Sequence, residues 1–326
     1  MKNVSKAIVT GGAGFIGSHI VDELIKRGIE TVVIDDFTTG SAENLRQHKG
    51  SRLLRVVTGD AARIGQLLPN IDDVDVVFHE AAIASVPRSV ADPLLVHNVN
   101  VNASLAVMAF CVSRMIRRMV FASSAAVYGV LNGIPASEDL VCAPASPYGA
   151  SKFAVEAYLA AFYQTYGLET VGLRYFNVYG SRQKMSDYSG VITVFANKIL
   201  QHSNPVIYGD GLQTRDFVHV KDIVNANMLA MESGSAPGQV LNVASGRTTN
   251  LLQLIDALGE ITASGEIEPV FEPSRKGDVR SGAASISKIG SLLGYRPSVS
   301  LLDGLVDVVN QSEAAKETMA VTSMIR

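Results

Sequence analysis

The feature that most constrains this chain is a run of glycines set between an apolar strand and a helix. Ala7-Ile8-Val9 leads into Thr10-Gly11-Gly12-Ala13-Gly14-Phe15-Ile16-Gly17, and helical spacing follows from Ser18 to Arg27. Gly11, Gly14 and Gly17 fit G-x-x-G-x-x-G. The first allows a tight turn, the second lets backbone approach a pyrophosphate, and the third lets helix and strand pack closely. The flanking strand and helix supply the context that such a motif needs. The next strand, Thr31 to Ile34, ends in Asp35-Asp36. A carboxylate there accepts hydrogen bonds from an adenosine ribose and repels a 2′-phosphate, which favours NAD over NADP.

Strand and helix patterns then alternate. Leu53 to Val57 is a strand ending near Gly59-Asp60, with Asp60 and Ala61 placed to meet an adenine. Val74 to His79 runs into Glu80-Ala81-Ala82, where small Ala81 and Ala82 leave room for a cofactor. His79 has no cluster of metal-ligand types around it and reads as a structural end-of-strand residue. Asn100 to Cys111 reads as an amphipathic helix, and Met119 to Ala122 as a strand ending in Ser123-Ser124-Ala125-Ala126-Val127-Tyr128-Gly129. Thr170 to Phe176 is a further strand, after which the alternation stops. The pattern predicts an α/β fold, a Rossmann-type doubly wound parallel sheet with a smaller mixed α/β C-terminal lobe for substrate. Residues 1–178 form the sheet domain, 212–248 return to it through a strand at Val240–Val243, and 179–326 form the lobe. The tail from Glu313 to Arg326 has no apolar pattern and is expected to be partly disordered.

Between those last strands stands Ser146-Pro147-Tyr148-Gly149-Ala150-Ser151-Lys152. Pro147 opens a helix, since its missing N–H costs nothing in the first turn. Tyr148 and Lys152 then lie one turn apart on one face. A phenol, with a pKa of about 10, is a poor base at neutral pH. A lysine ammonium beside it stabilises the phenolate and lets the pair take a proton from a hydroxyl. Taken alone, Tyr-x-x-x-Lys is common and fits an ordinary surface helix.

Composition narrows the classes. A net charge of −3 gives no sign of a nucleic-acid or acidic-membrane partner. The apolar runs are short and interrupted, below the roughly 20 residues of a transmembrane helix, and the N-terminus shows no signal-peptide pattern. Cys111 and Cys142 match neither a disulfide framework nor a zinc spacing, so a reduced cytoplasmic setting is expected.

Five segments in fixed order carry a family resemblance: the glycine motif, Ser123-Ser124-x-x-Val127-Tyr128-Gly129, Tyr148-x-x-x-Lys152, Arg174-Tyr175-Phe176-Asn177-Val178-Tyr179-Gly180, and Arg215-Asp216-Phe217-Val218-His219-Val220. From Thr10 to about Leu293 the chain resembles the extended short-chain dehydrogenase/reductases, and within them the NAD-dependent sugar-nucleotide epimerases. The resemblance implies inversion at C4 of a UDP-hexose through a transient 4-keto sugar. Tyr148 would be the base, Lys152 would lower its pKa and hold the nicotinamide ribose, and Ser124 would bond the sugar hydroxyl. NAD would contact Gly11, Gly14, Phe15, Ile16, Gly17, Asp35, Asp36, Asp60, Ala61, Ala81, Ala82, Asn100, Ser123, Tyr148, Lys152 and Tyr175. The nucleotide sugar would contact Ser124, Tyr148, Asn177, Gly190, Val191, Tyr208, Arg215, Arg275, Asp278 and Gly282.

The resemblance also implies a homodimer, through helices at Asn100–Cys111 and Ser151–Tyr163, and no metal. Dehydratases of the family carry Asp-Glu where this chain has Ala125-Ala126, and its decarboxylases a Glu at Ala126, so neither chemistry is expected. Ser285 replaces a usual Asp, with no consequence we can assign. Gly282 occupies the position where a Tyr excludes N-acetylated sugars, so an open hexose pocket is expected. A UDP-glucuronate 4-epimerase or another nucleotide-sugar oxidoreductase, and an idle NAD-binding sensor, remain as alternative readings.

Overall fold

The computed structural model describes residues 4–131, 133–184, 190–265, 267–274 and 282–324, and of 313–324 the backbone alone. Six strands follow one another: β1 (Lys6–Thr10), β2 (Glu30–Asp35), β3 (Leu54–Thr58), β4 (Val76–His79), β5 (Arg118–Ser124) and β6 (Glu169–Tyr175). Four short ones, β7 (Asn177–Tyr179), β8 (Val206–Tyr208), β9 (Thr214–Arg215) and β10 (Phe217–His219), precede β11 (Gln239–Val243), β12 (Thr249–Asn250) and β13 (Val270–Glu272). The main sheet is parallel and seven-stranded, in the order β11-β6-β5-β4-β1-β2-β3. Strand order reverses between β1 and β4, and a doubly wound sheet opens a crevice at that point, beyond the carboxyl ends of its strands. β1, β4, β5 and β6 are buried almost throughout, as strands covered on both faces must be.

The predicted return of the chain to this sheet is real. β11 pairs with β6 from Gln239↔Val171 to Val243↔Tyr175. The helix Val220–Glu232 before it is anchored by Arg118, whose buried guanidinium donates to the carbonyls of Ala230 (2.9 Å) and Met231 (2.6 Å) and pairs with Glu169. Those carbonyls end a helix and need donors. A separate core formed by Ile192, Phe195, Ile207, Phe217, Leu254, Leu258 and Leu305 holds the smaller lobe. Loop residues clip this lobe to the first helix, Phe15–Lys26: Arg182 bonds Asp22 at 2.6 Å, and His19 meets the Ser181 carbonyl at 3.0 Å.

Three expectations change. The helical run Pro93–Ser113 spans 21 residues with mean hydropathy 1.5, long and apolar enough to cross a membrane by length and composition. In the sequence this stretch reads as interrupted, but asparagines break it and no charge does. Half of it is buried within the protein, against the sheet. The expected helix at Asn100–Cys111 begins earlier, at Pro93, and passes through a wider π-type turn at Asn98–Asn102. The last helix runs Leu301–Met324 and carries helical backbone into the expected disordered tail. Residues 313–317, Glu-Ala-Ala-Lys-Glu, are strong helix formers that need no packed face to continue a turn.

One buried ion pair braces the sheet behind the site. Glu156 accepts from Arg174 at 2.9 and 2.7 Å and from the Ser123 hydroxyl at 2.5 Å, and both charged side chains are almost wholly buried. Arg174 also lies 4.7 Å over the Tyr128 ring. Removing one partner strands the other charge in low dielectric. Glu156→Ala should therefore lose about 3–5 kcal/mol in urea denaturation; a loss below about 1 kcal/mol would contradict this account of the pair.

Candidate active site

The site forms where the glycine turn meets the end of β4. Gly11 has φ of +68°, and a Cβ there would come within 2.7 Å of the Ala81 nitrogen. A Cβ on Gly17 would lie 2.2 Å from the Gly11 carbonyl oxygen. Only glycine fits either place, so the turn closes tightly on itself and on β4. The helix begins at Phe15, three residues earlier than its apolar spacing suggests, which aims its first free N–H groups out of the turn. Free backbone N–H groups at such a turn suit the pyrophosphate of a dinucleotide such as NAD.

Asp35 is buried at the end of β2. Its carboxylate accepts from the nitrogens of Ala13 (2.9 Å) and Phe37 (2.8 Å). Each oxygen keeps a lone pair for a ribose hydroxyl. Asp36 and Asp60 are exposed and bond the nitrogens of Thr38 and Ala62 in their own loops. The Ala61 methyl is core. Ala82 is half-buried beside Ala81.

At the end of β5 the two serines part. Ser124 caps the turn Ala125–Tyr128, accepting from the Ala126 nitrogen at 3.2 Å, and its hydroxyl favours ionisation of the Tyr148 phenol. Ser123 turns its hydroxyl the other way. Its hydroxyl is spent on Glu156, because successive residues of a strand point to opposite faces. Asn100 makes hydrogen bonds within the chain. Its amide accepts from the Ile83 nitrogen (2.8 Å) and donates to the Ser151 hydroxyl (3.0 Å), tying the loop after β4 to the tyrosine helix.

That helix, Pro147–Tyr166, starts at Ser146, whose side chain accepts from the Gly149 nitrogen, and ends at Gly167 in the left-handed region. A Cβ on Gly149 would be 2.4 Å from the Ala126 carbonyl oxygen, so its first turn lies directly on the serine turn. Tyr148 and Lys152 project from it, one helical turn apart. The Lys152 ammonium is 3% exposed, donates to the Ala122 carbonyl at 2.7 Å and lies 4.8 Å over the Phe121 ring. Burial lowers it to about 8, against the pull of Glu80 and Glu156. Tyr148 differs from expectation. Among the groups of the chain its pKa is raised, by burial first and by the Glu80 charge, and the Ser124 hydrogen bond is what works the other way. Lys152 spends its hydrogen bond on Ala122.

His79 is structural, as its surroundings in sequence suggested. It bridges Thr10 (2.6 Å) and Ser104 (2.9 Å), and burial holds it neutral, near 3.

β6 continues from Tyr175 into β7, which pairs with β10. This pairing opens a cavity of about 200 Å³ lined by Asn177, Gln183, Gly190, Val191, Arg215 and Phe217 among others. Four expected substrate residues thus share one wall. The helix Val191–Leu200 presents its N-terminus there beside the Arg215 guanidinium, a pairing suited to a diphosphate. Asn177 donates its amide to the Asp216 carbonyl at 3.0 Å. Tyr208 lies on β8 and does not line this cavity. At Gly282 a Cβ would lie 3.3 Å from the Thr214 carbonyl oxygen and 3.6 Å from the Arg215 Cα, so this position abuts the arginine strand. Arg275 and Asp278 lie outside the described residues.

Two groups went unassigned in sequence. Asp216 is fully buried and holds the Ser245–Gly246 loop through Ser245 N (2.8 Å), Ser245 Oγ (2.6 Å) and Gly246 N (2.9 Å). Glu80 accepts from the Tyr175 hydroxyl at 2.9 Å, and burial raises it to about 7. An ionisable residue directly after a buried strand, at the switch point, was its one signal.

The chain is similar throughout to proteins of known name. Residues 7–244 match the model of the NAD dependent epimerase/dehydratase family. The putative UDP-glucose 4-epimerase of Methanocaldococcus jannaschii is 38% identical over 305 residues, 93% of this chain and 97% of that one. The UDP-N-acetylglucosamine 4-epimerase of Methanobrevibacter ruminantium, solved in complex with UDP-N-acetylmuramic acid, superposes with a TM-score of 0.90 at 38% identity. The match covers 97% of this chain and 100% of that one. The UDP-glucuronic acid 4-epimerase of Bacillus cereus, solved with UDP-glucuronic acid and NAD, gives 0.87 at 30% identity, covering 95% and 99%. With the glycine cradle, the Ser124–Tyr148–Lys152 group and this match over most of its length, the chain belongs to the NAD-dependent epimerase/dehydratase family.

Proposed function

We propose that this protein inverts C4 of UDP-hexoses, both plain and N-acetylated. The observation that carries the reading is the convergence of Ser124, Tyr148 and Lys152 beside the glycine cradle, one strand away from the Arg215 cavity. NAD, when bound, supplies a hydride acceptor that returns what it takes, so no external reductant is consumed. Tyr148 takes the proton of the 4′-hydroxyl, which Ser124 holds by a hydrogen bond. Lys152, mostly protonated at neutral pH, would stabilise the negative charge as it forms. Arg215, Asn177 and the N-terminus of the helix Val191–Leu200 hold the diphosphate while the keto sugar presents its other face. Ala125 and Ala126 offer no acid to expel a neighbouring hydroxyl, which speaks against dehydration.

Tolerance of an N-acetyl group rests on Gly282, which adds no side chain beside the Arg215 strand. A cytoplasmic setting suits two cysteines kept as free thiols. A homodimer is supported by exposed apolar side chains on helices that pack together: Val90 and Leu94 on Val86–Ala91 and Pro93–His97, and Phe153 and Tyr158 on Pro147–Tyr166. The segment expected to share that interface, Asn100–Cys111, keeps Val107, Met108, Phe110 and Cys111 inside.

Incubation with UDP-galactose, UDP-N-acetylgalactosamine and UDP-glucuronic acid separately, without reductant, tests the reading by NMR of the products. Conversion of the first two to their gluco forms is expected. Turnover of the uronate alone would replace this reading with the uronate-specific one, and no turnover would overturn it. Gly282→Tyr should lower turnover of the N-acetylated pair about tenfold or more while leaving the plain pair nearly unchanged. An unchanged ratio of the two would remove Gly282 as the determinant.

A further inference from the structure

Residues 181–184 follow β7 and reach back to the dinucleotide crevice, where alternate side chains part. Arg182 turns to the first helix, Phe15–Lys26. It donates to the Ser18 hydroxyl at 3.1 Å and to the Asp22 carboxylate at 2.6 Å. Ser18 lies in the first turn of that helix, and its nitrogen bonds the Gly14 carbonyl at 3.2 Å. Lys184 turns to the loop after β2 and donates to the carbonyls of Thr39 (2.9 Å) and Gly40 (3.1 Å). Gln183, between them, faces the Arg215 cavity. It donates to the Val178 carbonyl at 3.3 Å and accepts from the Thr193 hydroxyl at 2.6 Å.

Arg182 and Lys184 thus grip the two walls that flank Asp35. One wall is the helix Phe15–Lys26, whose N-terminus suits a pyrophosphate. The other is the loop 36–40, which closes over the acid: a Cβ on Gly40 would come within 2.7 Å of an Asp35 carboxylate oxygen. Asp22 adds to the junction, since its other oxygen meets His48 (2.7 Å) and Gln47 (2.6 Å) at the end of the turn Ala42–His48, just past that loop. Arg182 has φ of +68°, a left-handed backbone that a residue other than glycine keeps only where its neighbours hold it. Its nitrogen donates to Gln311 at 2.7 Å, on the helix Leu301–Met324 of the smaller lobe. A single ion pair so near the surface contributes little. Here several bonds close on the same two walls, so parting them breaks those bonds together.

We propose that Arg182 and Lys184 are positioning residues for NAD: acting through Ser18, Asp22 and the carbonyls of Thr39 and Gly40, they tie the two walls of the crevice together and slow the cofactor's escape. An adenosine leaves Asp35 when the loop 36–40 swings away from the helix, and this brace opposes that motion. Differences in retention of this kind are carried by the rate of release. A cofactor that returns the hydride it takes is regenerated in place and has no need to leave between turnovers. The brace requires NAD at the glycine turn and holds whichever sugar is turned over.

Exchange of bound NAD tests this. The full-length protein is loaded with radiolabelled NAD, freed of excess by gel filtration and chased with unlabelled NAD, and the label left on the protein is followed in time. The NAD-free form of each variant is melted in parallel. Release should be about tenfold faster in Arg182→Ala and in Lys184→Met, with the melting temperature of the NAD-free protein within about 2 °C of the unaltered one. Lys184 is exposed, so Lys184→Met decides the matter even where Arg182→Ala fails to fold. Release unchanged in Lys184→Met, or quickened only in step with a fall in the NAD-free melting temperature, would overturn the proposal. If the unaltered protein turns over no UDP-sugar, the functional reading fails while the exchange rates still decide the role of the brace.

Discussion

Everything in this site depends on how closely the turn after β1 approaches the start of the loop after β4. Gly11 sits against the Ala81 backbone and Gly17 against Gly11, with no space for a Cβ at either contact. That closeness brings the helix N-terminus of Phe15–Lys26, the Asp35 carboxylate and the Glu80 side chain to one crevice. It is also where the strand order reverses, so the loops on either side of β1 and β4 diverge and leave room for a ligand. Van der Waals contact between backbones, rather than any polar bond, fixes the geometry in which the polar groups then act.

On that frame the electrostatics are arranged by burial. Lys152 is held in a nearly water-free position by one carbonyl and one aromatic face, at a cost to its charge that nearby carboxylates partly offset. Glu156 is neutralised by Arg174 and braces the back of β5 and β6. Glu80 is unpaired by any cation in direct contact among the described residues and bonds Tyr175 instead. The two acids look alike in the sequence and are held differently: one in a buried ion pair, the other by a tyrosine hydroxyl. The cavity lined by Arg215 and the N-terminus of the helix Val191–Leu200 is built from different elements than the Tyr148 helix.

Much of this was legible in the sequence. The glycine spacing located the crevice, the break in βα alternation marked the second lobe, and the apolar strand at Val240–Val243 was placed back in the main sheet. Pro147 marked the start of the tyrosine helix, since proline suits a first turn. What stayed hidden is what long-range pairing decides. Ser123 and Ser124 are adjacent hydroxyls, and only the phase of β5 within the sheet sends one to Glu156 and the other to Tyr148. Asn100 looked available, but its amide closes a contact fifty-one residues away at Ser151. The rise in the Tyr148 pKa could not be read from its spacing to Lys152, because it comes from burial and from Glu80, directly after β4.

The central claim is that one chain takes a hydride from a sugar carbon and gives it back to the opposite face. UDP-galactose carrying deuterium at C4, incubated with the purified protein in ordinary water, tests it directly. The account predicts the gluco epimer with the deuterium retained at C4. Product that has exchanged its deuterium for solvent hydrogen would contradict it, as would the absence of any epimer.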